Sequence, residues 1–231
     1  MLKNYKAAFA KASLVRRQRL CRRSARQAGL TMVELIVVVA IFAVISSVLF
    51  FNFSDFNTTV SLRNLSQEVA LMVRKSQVYA TGVHNLDGVS ASSKVYQAYG
   101  ISFSAKATGG AYEATTKRFV LFADTVTSGV NNRRYAASSS CGNPTTSNEC
   151  VEAFGIVTGD KITSLCTDLG CSSTNTVNVV FRRPSPDAEI CIDTGSGTCS
   201  SLRSFLKVVI QSARGQERNV TIWNTGQINV Q

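Results

Sequence analysis

Histidine is almost missing from this 231-residue chain: His84 is the only one. It follows Gly82 and Val83 at a helix end, with no nucleophile beside it in sequence, which reads as a surface or loop histidine rather than half of a catalytic pair. No C-x-x-C spacing occurs, so neither zinc-ligand pattern is available. No glycine loop of the phosphate-binding kind is present. No cofactor or metal is expected. Proline is absent between Gly29 and Phe53, and charge is nearly so, Glu34 being the only charged residue from Leu30 to Phe53. Acid is absent from residues 1 to 29.

What fills the first gap is apolar. Residues 30–53 make 24 positions rich in Val and Ile, and at 1.5 Å per residue they give roughly 36 Å of helix against a hydrocarbon core of about 30 Å. With no proline to break its backbone pairing, this stretch reads as a membrane span. What fills the second gap is positive. Lys3, Lys6, Lys11, Arg16, Arg17, Arg19, Arg22, Arg23 and Arg26 carry nine of the 25 Lys and Arg, leaving 16 against 14 acids, a net of +2, from Leu30 onward. Cations just before a span hold that end in the cytoplasm. They also account for the basic composition without a nucleic-acid-binding arm. The N-terminus is expected inside and everything after about residue 53 outside. No apolar run precedes Gly29, so a cut there would leave the span on the mature chain, unlike an ordinary signal peptide.

Cysteine usage fits an exported body. Cys21 lies in the basic segment; Cys141, Cys150, Cys166, Cys171, Cys191 and Cys199 follow the span. Six cysteines allow 15 connectivities, and proximity in sequence favours Cys141–Cys150, Cys166–Cys171 and Cys191–Cys199. The rival, a zinc site, lacks nearby histidine.

The run Gly29-Leu30-Thr31-Met32-Val33-Glu34, continuing Leu-Ile-Val-Val-Val-Ala-Ile after a basic leader, resembles the N-terminus of type IV prepilins and type II secretion pseudopilins. The resemblance implies that a prepilin peptidase/methyltransferase cuts at Gly29–Leu30 and methylates the new amine of Leu30. It places the family's glutamate on Glu34, which then meets the N-terminal amine of a neighbouring subunit and sets the register of packed helices. Partners would be other pilins or pseudopilins, reached through the N-terminal helix, and the lipid bilayer. A lone carboxylate costs about 2.5–3.5 kcal/mol on insertion scales, so a partner is wanted; the alternative is a glutamate snorkelling to the headgroups. Two features depart from the family. The leader is 29 residues long from Met1, and Val48-Leu49-Phe50-Phe51-Asn52 stands where many major pilins carry a proline.

Beyond the span, Asn52 to Thr59 is polar and poor in helix formers, a place for the helix to leave the bilayer and loosen. Leu62, Leu65, Val69, Met72, Val73 and Tyr79 then recur at helical spacing, with Gly82 as a C-cap. From about residue 94 the rhythm is of short strands: Val95–Ser104, Arg118–Ala123, Glu152–Val157, Lys161–Cys166, Thr176–Arg182, Glu189–Ile192, Leu202–Gln211, Arg218–Trp223 and Gln227–Val230. The predicted fold is α+β and pilin-like, a long N-terminal helix packed on a C-terminal antiparallel β-sheet head. Its domains are the leader 1–29, the transmembrane half-helix 30–53, the amphipathic half 54–82 and the extracytoplasmic head 83–231. The closing run Arg218 to Val230, with Tyr99–Phe103 and Phe119–Asp124, resembles the GspH/FimT branch and implies a minor pilin or H-type pseudopilin.

Three function classes follow: a structural filament subunit, a DNA-binding minor pilin for natural transformation, and a membrane-anchored enzyme kept as a foil. For DNA, Arg133 and Arg134 beside Tyr135, the doublet Arg182-Arg183, and Arg214 with Arg218 are the candidate contacts, but Arg214-Gly-Gln-Glu-Arg218 departs from the Gly-Arg-x-Arg pattern of DNA-capturing relatives. Asp124 to Asn132 has a partial calcium-loop look through Asp124, Ser128 and Gly129. Val126 occupies the third position and the closing glutamate is absent, so a hairpin turn is the simpler reading.

Overall fold

The computed structural model describes residues 29–82, 98–124, 132–136, 139–142, 144, 148–173, 175–193, 199 and 202–231, without the side chains of 51–54. Cys21, His84, Val126, Ser128 and Gly129 lie outside these residues, as does the basic segment up to residue 28. The chain divides into two compact units, Met1–Val48 and Leu49–Gln231, and one helix, α1 (Met32–Thr81), contributes residues to both.

In the first unit α1 starts on a capping motif. The Glu34 amide donates to Thr31 Oγ1 at 3.2 Å, and the Leu35 amide to the Thr31 carbonyl at 3.1 Å. The first bond meets one of the amide donors that a helix start leaves open, and the second closes the first regular turn of the helix. Every described residue from Gly29 to Val48 is exposed, large apolar side chains included. Such a surface is unstable in water and suited to lipid; the helix is long and apolar enough to cross a membrane.

The second unit holds the rest of α1 and all the strands. The polar stretch 52–59, expected to loosen, is helical. Thr58 and Thr59 hydroxyls both return to the Asp55 carbonyl, at 2.9 and 3.0 Å, so these polar side chains find their partners within the helix. Leu62, Leu65, Val69, Met72 and Val73 are buried, with Ala80 completing the stripe; Tyr79 is half-buried and meets the Tyr99 ring edge-on at 5.7 Å. Ser66 and Ser76 share the buried face and satisfy their hydroxyls on the Arg63 and Val73 carbonyls, each at 2.8 Å. At the other end the Gly82 amide donates to the Val78 carbonyl at 2.8 Å. The last turn of α1 carries no cation of its own. Arg183 supplies one from a distant turn, its Nε donating to the Ala80 carbonyl at 3.0 Å and its Nη2 to that of Gly82.

Ten strands follow: β1 Ala98–Ser104, β2 Arg118–Asp124, β3 Cys150–Gly155, β4 Lys161–Thr167, β5 Gly170–Ser172, β6 Thr176–Arg182, β7 Ala188–Asp193, β8 Phe205–Gln211, β9 Glu217–Trp223 and β10 Ile228–Val230. They form two antiparallel sheets, ordered β3-β2-β1-β6-β7 and β10-β9-β8-β4-β5. The architecture is α+β: a long apolar N-terminal helix, then antiparallel sheets.

One core joins the α1 stripe to Tyr99, Ile101, Phe103, Phe119 and Leu121 of the first sheet and to Leu206, Val208, Ile210, Val220 and Ile222 of the second. The first sheet is also covered on its other face, where Ala98, Val120, Phe122 and Val180 pack with Ala114 and Tyr135 from the connecting loops and with Cys150 at the start of β3. This explains why β1 is buried along its whole length whereas β9 alternates. Gly100 is needed there: a Cβ would lie 2.7 Å from the Phe122 ring and 2.8 Å from the Val179 carbonyl. Disulfides join Cys141–Cys150, Cys166–Cys171 and Cys191–Cys199. The first anchors the covering loop to β3, the second ties β4 to β5, and the third closes the segment after β7.

Candidate functional site

The residues singled out at the N-terminus lie together by chain connectivity. Gly29 and Leu30 are exposed just ahead of α1, and Glu34 stands in its first turn. Gly29 has no structural need to be glycine. Its φ is not positive, and a Cβ there would meet nothing within 4 Å. Glu34 faces the positive end of the helix dipole, where a carboxylate is stabilised by roughly 0.3–1 kcal/mol when exposed. The pairing of Thr31 with Glu34 is the missed part of the site. Its sequence sign was the Thr-x-x-Glu spacing of a capping box just before an apolar run.

The arginines considered for DNA fall into two groups on different sheets. Beside the first sheet, Arg133 Nε pairs with Glu189 Oε2 and Arg134 Nη2 with Asp193 Oδ1 at 2.9 Å, while Arg182 approaches the same Glu189 at 3.5 Å. On the second, Arg214 in the β8–β9 turn pairs with Asp55 of α1, and Arg218 lies in β9 opposite Ile210. Arg183 is committed to the end of α1. Five of these six side chains thus face a carboxylate or a carbonyl, which lowers the field available to a phosphate backbone.

Asp124, the first residue of the partial calcium pattern, is fully buried at the end of β2. Its Oδ2 accepts the Arg133 amide at 3.1 Å, and its Oδ1 has no partner. Burial, then the nearby Glu149, push its pKa up to about 7, against the pull of the Arg133 and Asn132 amides and of Arg182. Glu149 is itself buried and accepts the Ala136 amide at 2.7 Å. This acid pair under the loop 132–136 had no sequence signal, its members being separated by the whole β2–β3 connection. Among the described residues no three His, Cys, Asp or Glu side chains gather as a metal set.

A family model described as the prokaryotic N-terminal methylation motif matches residues 24–50. No curated protein and no solved structure matches the chain. The motif covers the end of the basic segment, Gly29, Leu30, Glu34 and the apolar start of α1. It is a type IV pilin-like signal and supports the class of pilin and pseudopilin precursors, with processing by a prepilin peptidase and assembly with other pilins. With the exposed apolar helix it supports membrane anchoring, and it speaks for a structural subunit over an enzyme.

Proposed function

We propose that this chain is a minor pilin or pseudopilin of the GspH/FimT kind, built into a type IV pilus or a type II secretion pseudopilus. The leader 1–29 stays cytoplasmic and is cut off at Gly29–Leu30, Leu30 is methylated, and the β-rich part lies outside the cytoplasmic membrane. The observation that carries this reading is the methylation motif seated on a helix start whose apolar side chains are all unburied. A glycine at position 29 that the fold itself does not require is accounted for by a peptidase that does. Assembly follows from charge. Cleavage creates a cation at Leu30, beside the positive end of the α1 dipole, and a neighbouring subunit's Glu34 offsets both in a medium without water. The paired state of Arg133, Arg134 and Arg214 favours this role over DNA capture.

Mass spectrometry of protein co-expressed with a prepilin peptidase tests the processing: the mature N-terminus is methylated Leu30, and an intact leader or a cut elsewhere removes the proposal. For assembly, Glu34→Ala leaves cleavage unchanged. Removing one partner of a buried ion pair costs about 3–5 kcal/mol, so incorporation into sheared filaments, read by immunoblot, falls roughly a hundredfold or more. Normal incorporation of Glu34→Ala would refute the pairing.

A further inference from the structure

The β8–β9 turn, residues 212–216, is fastened to α1 just past the end of the apolar window. Arg214 pairs with Asp55, and the Thr59 hydroxyl lies 3.2 Å from Gln216 Oε1, all within the second unit. One helical step further on, the Ser61 hydroxyl donates to Asp160 Oδ2 at 2.5 Å. The turn is shaped before anything binds it. The Gly215 amide donates to the Ser212 carbonyl at 3.0 Å, and the Ser212 amide to the Gln216 carbonyl at 2.8 Å. The buried Ser212 hydroxyl accepts the Arg214 and Gln216 amides at 3.3 and 3.2 Å. Gly215 takes a φ of 84°, in the left-handed region, and residues 213–217 are exposed.

Distance along the helix decides what this turn meets, given the proposed reading of residues 30–53 as a membrane span. At 1.5 Å per residue, Asp55 lies about 3 Å and Thr59 about 9 Å beyond Phe53. The polar layer of a bilayer is about 5–8 Å deep on each side of its hydrocarbon core. A helix tilt of about 20° shortens those rises by only about 6%. The turn bonded to these two residues is therefore level with the headgroup phosphates. Phe50 and Phe56, both exposed, carry the apolar surface of the helix to the same level. The other end of the sheet stands far from it. Trp223, the only tryptophan, ends β9, and the next turn reaches α1 at Gln77, where a Cβ on Gly226 would lie 2.7 Å from Gln77 Nε2. That level is about 36 Å past Phe53.

The side chain that leads the turn suits this layer. A guanidinium presents five N–H donors in a fork that fits a phosphate as well as a carboxylate. Arg214 and Asp55 keep 47% and 63% of their side-chain surface in solvent, and an ion pair so exposed is weak enough to be shared. We propose that the β8–β9 turn is a lipid-contact surface, Arg214 binding a phospholipid phosphate and so tying the second unit to the bilayer surface.

The test places the full chain in vesicles of phosphatidylcholine and phosphatidylglycerol and reads tryptophan quenching by nitroxide-labelled lipid. A nitroxide on the headgroup quenches Gln216→Trp/Trp223→Phe at least twofold, and the parent, through Trp223 alone, by no more than about a tenth. Phe50→Trp/Trp223→Phe, read with the nitroxide high on the acyl chain, checks the span separately and is quenched as strongly. Two changes are then added to the Gln216→Trp/Trp223→Phe chain. Arg214→Glu cuts its headgroup quenching at least by half. Asp55→Ala, which removes the clip to α1 and keeps the cation, leaves the quenching within about a fifth. Melting followed by circular dichroism checks each fold, and Ala213→Trp, in the same exposed turn, stands in if Gln216→Trp misfolds. A turn left unquenched while Phe50→Trp is quenched overturns this proposal and leaves the span standing; neither being quenched removes both. Equal losses in Arg214→Glu and Asp55→Ala would reduce Arg214 to an internal clip and overturn the phosphate contact.

Discussion

A carboxylate buried beside another carboxylate is the residue on which the pH response of this molecule turns. Asp124 titrates near 7 in the folded chain and near the ordinary aspartate value when unfolded. Its folded pKa is raised, so its contribution is most favourable below about pH 4 and is lost as pH rises through 7. About three pKa units bound the effect at roughly 4 kcal/mol, at 1.36 kcal/mol each. Asp124→Asn removes it. The melting temperature of the variant therefore exceeds that of the parent at pH 8, and the difference closes or reverses at pH 4.5. A gap between the two proteins that stays constant with pH would show that the carboxyl is ionised throughout. Residues of this kind are illegible in sequence: nothing around Asp124 or Glu149 announces that loops will roof the outer face of the first sheet and shut water out. The stretch holding Gly29 and Glu34 is the opposite case, because the methylation motif that matches it is a local signal.

At the scale of elements, periodicity located most of the strands and could not sort them. Val177, Val179 and Phe181 alternate like Leu206, Val208 and Ile210, and both sets point into the same core. Nothing in the pattern says that they belong to different sheets, nor that Asn178 and Val180 are buried too. Strand β5 escaped notice because three residues, Gly170 to Ser172, hold no alternation to read. Leu202 to Ser204 read as strand but precede β8, Arg203 making only an isolated bridge to Ile190. The end of α1 was legible in Gly82, while its cap was not, since Arg183 arrives from 101 residues further along the chain. That distant cap carries a prediction. Arg183→Met keeps the aliphatic stem and loses two charge-assisted hydrogen bonds to helix carbonyls. A loss of about 1–2 kcal/mol is expected, partial exposure holding the value down. This lowers the melting temperature by roughly 2–8 °C in a domain of this size. Arg183→Lys, able to reach one carbonyl but not both, recovers part of the loss; a melting temperature unchanged in Arg183→Met would leave the cap without energetic weight.

For the whole molecule, the decisive quantity is where the charge sits before and after processing. The full chain carries +11, and nine of its cations precede Leu30, where there is no acid to balance them. A chain of this kind binds polyanions and anionic lipid through residues 1–29 alone, whatever the part from Leu30 onward does. The chain from Leu30 carries +2, with Arg133, Arg134 and Arg214 engaged by acids. Its affinity for nucleic acid is correspondingly weak, because the phosphate term grows with the number of free cations. Filter binding of a 30-bp duplex in 50 and 200 mM salt separates the two cases. The precursor binds with a steep salt dependence, and the protein cleaved at Gly29–Leu30 loses at least a hundredfold in affinity at 50 mM. If the cleaved protein held the duplex as tightly as the full chain, the arginines beyond Leu30 would have to act together despite their acid partners. Arg214→Ala and Arg133→Ala would then divide the contribution of the two sheets, and DNA capture would replace the proposed filament role as the working account of residues 30–231.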